Sequence, residues 1–314
     1  MIRLVIAISL LCTGVLAKAQ YTVDSIKSSD AELILQFLAG DSLKGRGNGT
    51  KELSIAADFI VSRFRQAGLQ PLPETGSFLL PFAVNRNKHK SRQDSLYNVV
   101  GVLPGKSRAG EIVIFSAHYD HIGEEDGVIY NGANDNASGT TAVLLLADYF
   151  ARKGDNERTI LFCAFAGEEL GLLGSDAFAE VLKPEAVVAV INIEMIGIPS
   201  VGKNAFFLTG ANYSNLQSIL RKNLDKVYKI RREPSYEKQL FSRSDNYPFA
   251  RKGIPAHTIM ASDDEDTCYH QTCDDVRRVS IGNMTNLIRA IALGSATLIN
   301  GIDTPTRINP ERIR

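Results

Sequence analysis

The residues of this chain best suited to chemistry are His118 and Asp120, then Asp135, the adjacent acids Glu168 and Glu169, Glu194, and His270. Imidazole nitrogen and carboxylate oxygen are, with thiolate, the donors that zinc accepts from a protein. Taken singly, each has a bland explanation. A lone His-x-Asp is more often a surface pair, adjacent acids commonly open a helix, and an isolated histidine usually belongs to the surface or the core. Together they share a position. His118, Glu168, Glu169, Glu194 and His270 each come after a run that reads as a buried strand, and Asp135 comes just before a helix. If the chain stays extended past His118, Asp120 projects to the same side and can accept a hydrogen bond from the second ring nitrogen of His118. Glu168 and Glu169 point in different directions, so one can hold a metal while the other stays free as a general base.

The elements that must position these groups follow from the apolar pattern. Residues 112–117, 159–166, 186–193 and 254–260 are short apolar runs of strand type, and they alternate with helical stretches at 142–150, 170–182 and 281–300. Leu53, Ala56, Ala57, Ile60, Val61 and Phe64 repeat at helical spacing and stop at Gly68. Residues 83–95 are polar and basic, which predicts a surface connection or a strand edge. Strands buried on both faces and alternating with helices predict an α/β fold, a three-layer α/β/α sandwich around a mainly parallel mixed sheet. In such sheets ligands bind beyond the carboxyl ends of the strands, where the candidate residues cluster.

Composition narrows the function classes. The 314 residues include 35 basic and 35 acidic side chains, and 44% are hydrophobic. That apolar fraction excludes wholesale disorder, and a net charge of zero argues against nucleic acid as a partner bound through a broad basic face. Arg3, the apolar run 4–11 and Ala17-Lys18-Ala19 read as a signal peptide over residues 1–19, leaving 20–314 as a single exported domain. No later stretch is long and apolar enough for a transmembrane anchor in the mature chain. A lipoprotein reading at Cys12 is disfavoured by the bulky Leu11 before it. Three cysteines remain after cleavage, and Cys163 lies in an apolar strand, where it behaves as a small hydrophobe.

Ala117-His118-Tyr119-Asp120, Asn134-Asp135-Asn136-Ala137-Ser138-Gly139, Gly167-Glu168-Glu169-Leu170-Gly171-Leu172-Leu173-Gly174-Ser175 and Tyr269-His270 resemble the motifs of the co-catalytic, two-zinc aminopeptidases. That family includes secreted bacterial enzymes, vacuolar aminopeptidase Y, glutaminyl cyclases and receptor-like relatives. The resemblance runs in order from about residue 30 to 300 and takes in Gly45-Arg46-Gly47 and Arg243-Ser244-Asp245. It implies two zinc ions per chain, one held by His118 and Glu194, the other by Glu169 and His270, with Asp135 bridging them. It further implies Glu168 as general base toward a metal-bridging water, Tyr269 beside the carbonyl oxygen, Arg243 near the substrate, and a cis bond between Asp135 and Asn136. The implied substrates are peptides with a free N-terminus. Glu194 stands where the family usually has Asp, and Asn246 where histidine is common.

Two other functions compete on the same fold: a single-zinc glutaminyl cyclase, and a non-catalytic binding ectodomain. The intact ligand set favours hydrolysis. Cys268 and Cys273 bracket Tyr269 and His270, and an oxidising compartment would let them pair and tether an otherwise polar loop. A thiolate ligand there is disfavoured, because it would compete for the position water needs.

Overall fold

A computed structural model describes residues 21–89, 91–234 and 239–313. The expected signal peptide, residues 1–19, lies outside the described residues. Apolar, β-branched and aromatic runs form the strands β1 (Leu79–Ala83), β2 (Ser95–Leu103), β3 (Arg108–His118), β4 (Gly123–Glu125), β5 (Val128–Tyr130), β6 (Arg158–Phe165), β7 (Val187–Ile193), β8 (Ala205–Leu208), β9 (Lys229–Ile230) and β10 (Ala256–Met260). The helices are α1 (Ser28–Leu38), α2 (Lys51–Gln66), α3 (Ser138–Lys153), α4 (Leu173–Val181), α5 (Leu216–Lys222), α6 (Tyr247–Arg251), α7 (Ile281–Gly294) and α8 (Ala296–Ile299).

Eight strands make one sheet in the order β1-β2-β6-β3-β7-β10-β8-β9, and β4 and β5 form a separate hairpin. The central four, β6, β3, β7 and β10, are mutually parallel. Antiparallel β2 lies against β6 and antiparallel β8 against β10, so the sheet is mixed. Side chains alternate across it as the period of a strand requires. Val113, Phe115 and Ala117 of β3 join the core beneath α1, α2, α3 and α7. Ile114 of β3 and Leu161, Cys163 and Phe165 of β6 face the other way and pack with Phe178 of α4 and Phe249 of α6. Burying one such side chain stabilises by roughly 1.5–3 kcal/mol, which fixes the strand register and with it the residues at the strand ends. The result is the expected three-layer α/β/α sandwich.

Local chemistry sets the helix limits. Thr50 caps α2 by accepting from the Leu53 amide, and the six predicted apolar positions of that helix are all buried. Two expected helices differ in extent. The one expected at 170–182 begins only at Leu173, because Glu168 O accepts from the amides of Gly171 and Leu172 in a turn, with Leu172 at φ 63°. The long helix expected at 281–300 stops at Gly294, since the Ser295 hydroxyl turns back onto Ile291 O at 2.6 Å before α8 resumes. Among the described residues no helix is long and apolar enough to cross a membrane.

Candidate active site

β6 and β7 flank β3 on opposite sides, so the chain reverses direction at β3 and opens a crevice at its carboxyl end. Register then assembles the site. His118 ends β3 and pairs with Phe165 of β6, which places Glu168 and Glu169 one turn beyond on that side. Ser116 pairs with Asn192 of β7, which places Glu194 just past the strand end on the other side. His270 returns over this edge on the loop after β10, at φ 56°, in a loop closed by the Cys268–Cys273 disulfide. Cys163 is buried and unpaired.

Asp135 arrives from the segment Ala133–Ala137 ahead of α3, and the Asp135–Asn136 bond is cis. Gly139 in the first turn of α3 is required by close approach: a Cβ there would stand 2.2 Å from Ile193 O at the end of β7. Asn136 straddles the same junction, donating to Ile193 O at 3.0 Å and accepting from the amides of Gly139 and Met195. The Asp274 carboxylate accepts from the amides of Asn134 and Asp135 at 2.8 and 3.0 Å, fixing the backbone that carries Asp135.

Three candidate ligand groups result among the described residues, and Asp135 belongs to two of them. His118, Asp135 and Glu194 offer donor atoms within 4.8 Å of one another, as do His121, Asp135, Glu169 and His270. His118 Nε2 lies 3.2 Å from Asp135 Oδ1, and His270 Nε2 lies 3.2 Å from both Asp135 Oδ2 and Glu169 Oε2. Both nitrogens are buried without a hydrogen-bond partner. Ligands at 2.0–2.1 Å around a tetrahedral metal stand about 3.3 Å apart. The spacing and the orphaned nitrogens therefore fit a metal ion in each of the two groups that contain Asp135. The third group, His118, Glu168 and Glu169, lies beside these two without Asp135.

The electrostatics agree with a cation site. Burial alone would lower the His270 pKa, but the carboxylates of Asp135 and Glu169 beside its Nε2 outweigh it and raise it to about 10. Burial and Asp135 push Glu169 up, yet the imidazoles of His121 and His270 beside it win and hold it at about 2. Glu194 is pushed up to about 7 by burial, against the opposing charge of His118. Glu168 is raised well above the ordinary carboxylate range, by burial and then by Glu169, Glu194 and Asp245, again opposed by His118. Three imidazoles and several acids thus compete for protons in one small volume, and a divalent cation bound there would displace those protons and take the same nitrogens and oxygens as ligands.

His118, Asp135, Glu168, Glu169, Glu194 and His270 converge. The longer Glu194 is gripped by the Ser244 hydroxyl, which itself accepts from Asn192 at 2.7 Å. Asn246 is structural, bridging Thr258 Oγ1 and Phe241 O. Tyr269 stacks on His270 with ring centroids 3.9 Å apart, and Arg243 pairs with Asp264 at 2.7 Å. Asp120 needs a correction. Its carbonyl, at 3.1 Å, is the nearest acceptor for His118 Nδ1, and its carboxylate stands 3.9 Å away. The chain leaves the extended conformation after β3, which turns the Asp120 side chain onto Asn48 and onto the amides of Glu168 and Glu169.

Sequence reasoning assigned no role to His121, Arg46 or Asp274. Arg46 is 1% exposed and donates to the carbonyls of Leu38, Tyr119, Asn131 and Gly132, clamping the loops on both sides of His121. Its signal was the Gly45-Arg46-Gly47 motif, where a charged residue sits between two glycines.

Residues 98–294 match the family described as Peptidase family M28. Over 213 residues the chain is 30% identical to a "Probable leucine aminopeptidase" of Trichophyton verrucosum, an alignment covering 64% of this chain and 56% of that one. The chain thus spans little more than half the length of that relative. Its fold is similar to that of the zinc aminopeptidase BSAP of Bacillus subtilis, with a TM-score of 0.69, 16% identity, and 87% and 95% of the two chains covered. It is also similar to the glutaminyl cyclase of Porphyromonas gingivalis, with a TM-score of 0.67, 15% identity, and 90% and 100% covered. The sheet, the motifs at its carboxyl edge and a family match over more than half of the sequence converge: the chain belongs to peptidase family M28.

Proposed function

We propose that this protein is an exported zinc aminopeptidase whose residues 20–314 form one catalytic domain, and that it removes N-terminal residues from peptides with a free amino terminus. One observation carries the reading. Asp135 is common to two ligand groups, and Glu168 stands beside them on an open cavity of about 530 Å³ whose walls include Glu169, Ser242, Arg243 and Tyr247. His118 and Glu194 would hold one zinc ion, Glu169 and His270 the other, and Asp135 both. Bound zinc supplies Lewis acidity toward the scissile carbonyl and lowers the pKa of water.

The remaining work belongs to side chains. Glu168 accepts the proton of the attacking water and returns it to the leaving amine, a task its raised proton affinity suits. Tyr269, kept protonated by burial and by the surrounding acids, donates to the carbonyl oxygen as negative charge develops there. Arg243 lines the cavity and positions substrate. Asp120 acts through the backbone, holding the turn that carries Glu168 and Glu169.

The likeness to a glutaminyl cyclase supports a second reading, in which a single zinc promotes cyclisation of N-terminal glutamine with loss of ammonia. The two ligand groups that share Asp135 favour hydrolysis. Assaying the purified mature protein on aminoacyl anilides and on glutaminyl peptides separates the readings. Anilide release that stops with a chelator and returns with Zn²⁺ is expected. Cyclisation without anilide turnover would move the assignment to the cyclase, and neither activity from a folded, zinc-loaded protein would leave a non-catalytic binding domain.

A further inference from the structure

We propose that His121 is a positioning residue for Glu169: it donates its Nδ1 proton to Glu169 Oε1 and so leaves Oε2 facing His270 and Asp135. The inference rests on the metal-site reading above and adds a residue to it. His121 Nδ1 stands 2.8 Å from Glu169 Oε1, a hydrogen-bond distance. The contacts that fit metal-ligand spacing are longer, at 3.2 Å, and they involve the other oxygen of Glu169. Nδ1 is also 3.9 Å from Asp135 Oδ2, farther than His270 Nε2 is from the same oxygen. The other ring nitrogen, Nε2, is buried with no hydrogen-bond partner, so the ring proton belongs on Nδ1, where an acceptor waits.

The surroundings hold the ring in this pose. His121 is 1% exposed, and it meets His270 edge-on with centroids 5.6 Å apart and planes at 75°. Gly132 presses on its face: a Cβ there would lie 2.4 Å from His121 Cγ, and the φ of 57° suits glycine as well. The Arg46 carbonyl accepts the His121 amide at 3.3 Å, while the Arg46 guanidinium binds the carbonyls of Tyr119, Asn131 and Gly132 around it. An imidazole fixed this firmly spares Glu169 from rotating among poses in which neither oxygen faces the ligand group. Hydrogen-bond partners of metal ligands typically contribute 10–100-fold to metal affinity.

The test compares His121→Phe, which removes the donor, with His121→Asn, whose amide nitrogen can replace Nδ1. Zinc affinities of both sites are measured by chelator competition on each protein. His121→Phe should weaken one of two zinc-binding events by roughly 10–100-fold and leave the other unchanged. His121→Asn should recover most of that loss. The second readout needs no variant. In ¹⁵N-histidine-labelled, zinc-loaded wild-type protein, the five histidines give an assignable spectrum, and His121 should show a protonated Nδ1 and a bare Nε2. An unprotonated Nδ1 would make His121 a direct ligand and overturn the positioning role. Unchanged affinity of both sites in His121→Phe would overturn it as well. Wild-type protein that binds only one zinc would instead defeat the two-metal reading itself.

Discussion

Glu168→Gln is expected to lower kcat by about 10²–10⁴ while both zinc ions and the fold are retained. The substitution keeps the size and hydrogen-bonding reach of the side chain and removes only its capacity to take a proton. Glu168 suits that role because it lines the cavity, and because burial beside Glu169, Glu194 and Asp245 raises its affinity for a proton well above that of an ordinary carboxylate. Neighbouring Glu169 is driven the opposite way, to about 2, by the imidazoles of His121 and His270 beside it. In the proposed mechanism two adjacent acids with opposed proton affinities would divide the work of base and ligand. Steady-state turnover and zinc content of the purified variant check this together. Near-normal turnover would remove Glu168 as the base. Loss of zinc would make it a ligand and exchange the roles of the two acids.

Asp135→Ala should be the most damaging change at the ligand edge. Glu194 takes part in one ligand group with Asp135 and His270 in the other, whereas Asp135 gives Oδ1 to the His118 side and Oδ2 to the His270 side. Its removal should weaken both zinc-binding events by more than the roughly 10–100-fold that loss of an outer partner costs. Glu194→Ala should weaken one. Emission spectroscopy after dialysis should find Asp135→Ala largely free of zinc, with turnover at background. Two zinc ions retained by Asp135→Ala would show that the carboxylate bridges nothing.

Much of this was legible in the sequence because burial writes itself into composition. Strands covered on both faces must be apolar runs, so β3, β6, β7 and β10 announced themselves, and the polar residues that follow them had to lie at one edge of a parallel sheet. What was hidden depended on the chain leaving regular geometry. His121 follows Asp120 directly, and period-two reasoning would send it away from the His118 face. The strand ends at His118, however, and the turn beyond it brings His121 onto Glu169. The same departure moved Asp120 from an imidazole to two backbone amides. Arg46 was hidden for another reason. A buried guanidinium satisfied by four carbonyls has no acidic partner in sequence to mark it, since its acceptors are backbone groups, three of them in loops distant in the chain and one at the end of α1. The break at Ser295 turned on one hydroxyl, a local bond that apolar periodicity does not register.

The account stands on two metal positions that share Asp135. Anomalous diffraction at the zinc edge from crystals of the mature protein measures them directly. Two peaks are predicted, one within ligand distance of His118, Asp135 and Glu194, and the other of Asp135, Glu169 and His270. A single peak, or two peaks with no common carboxylate, would contradict it.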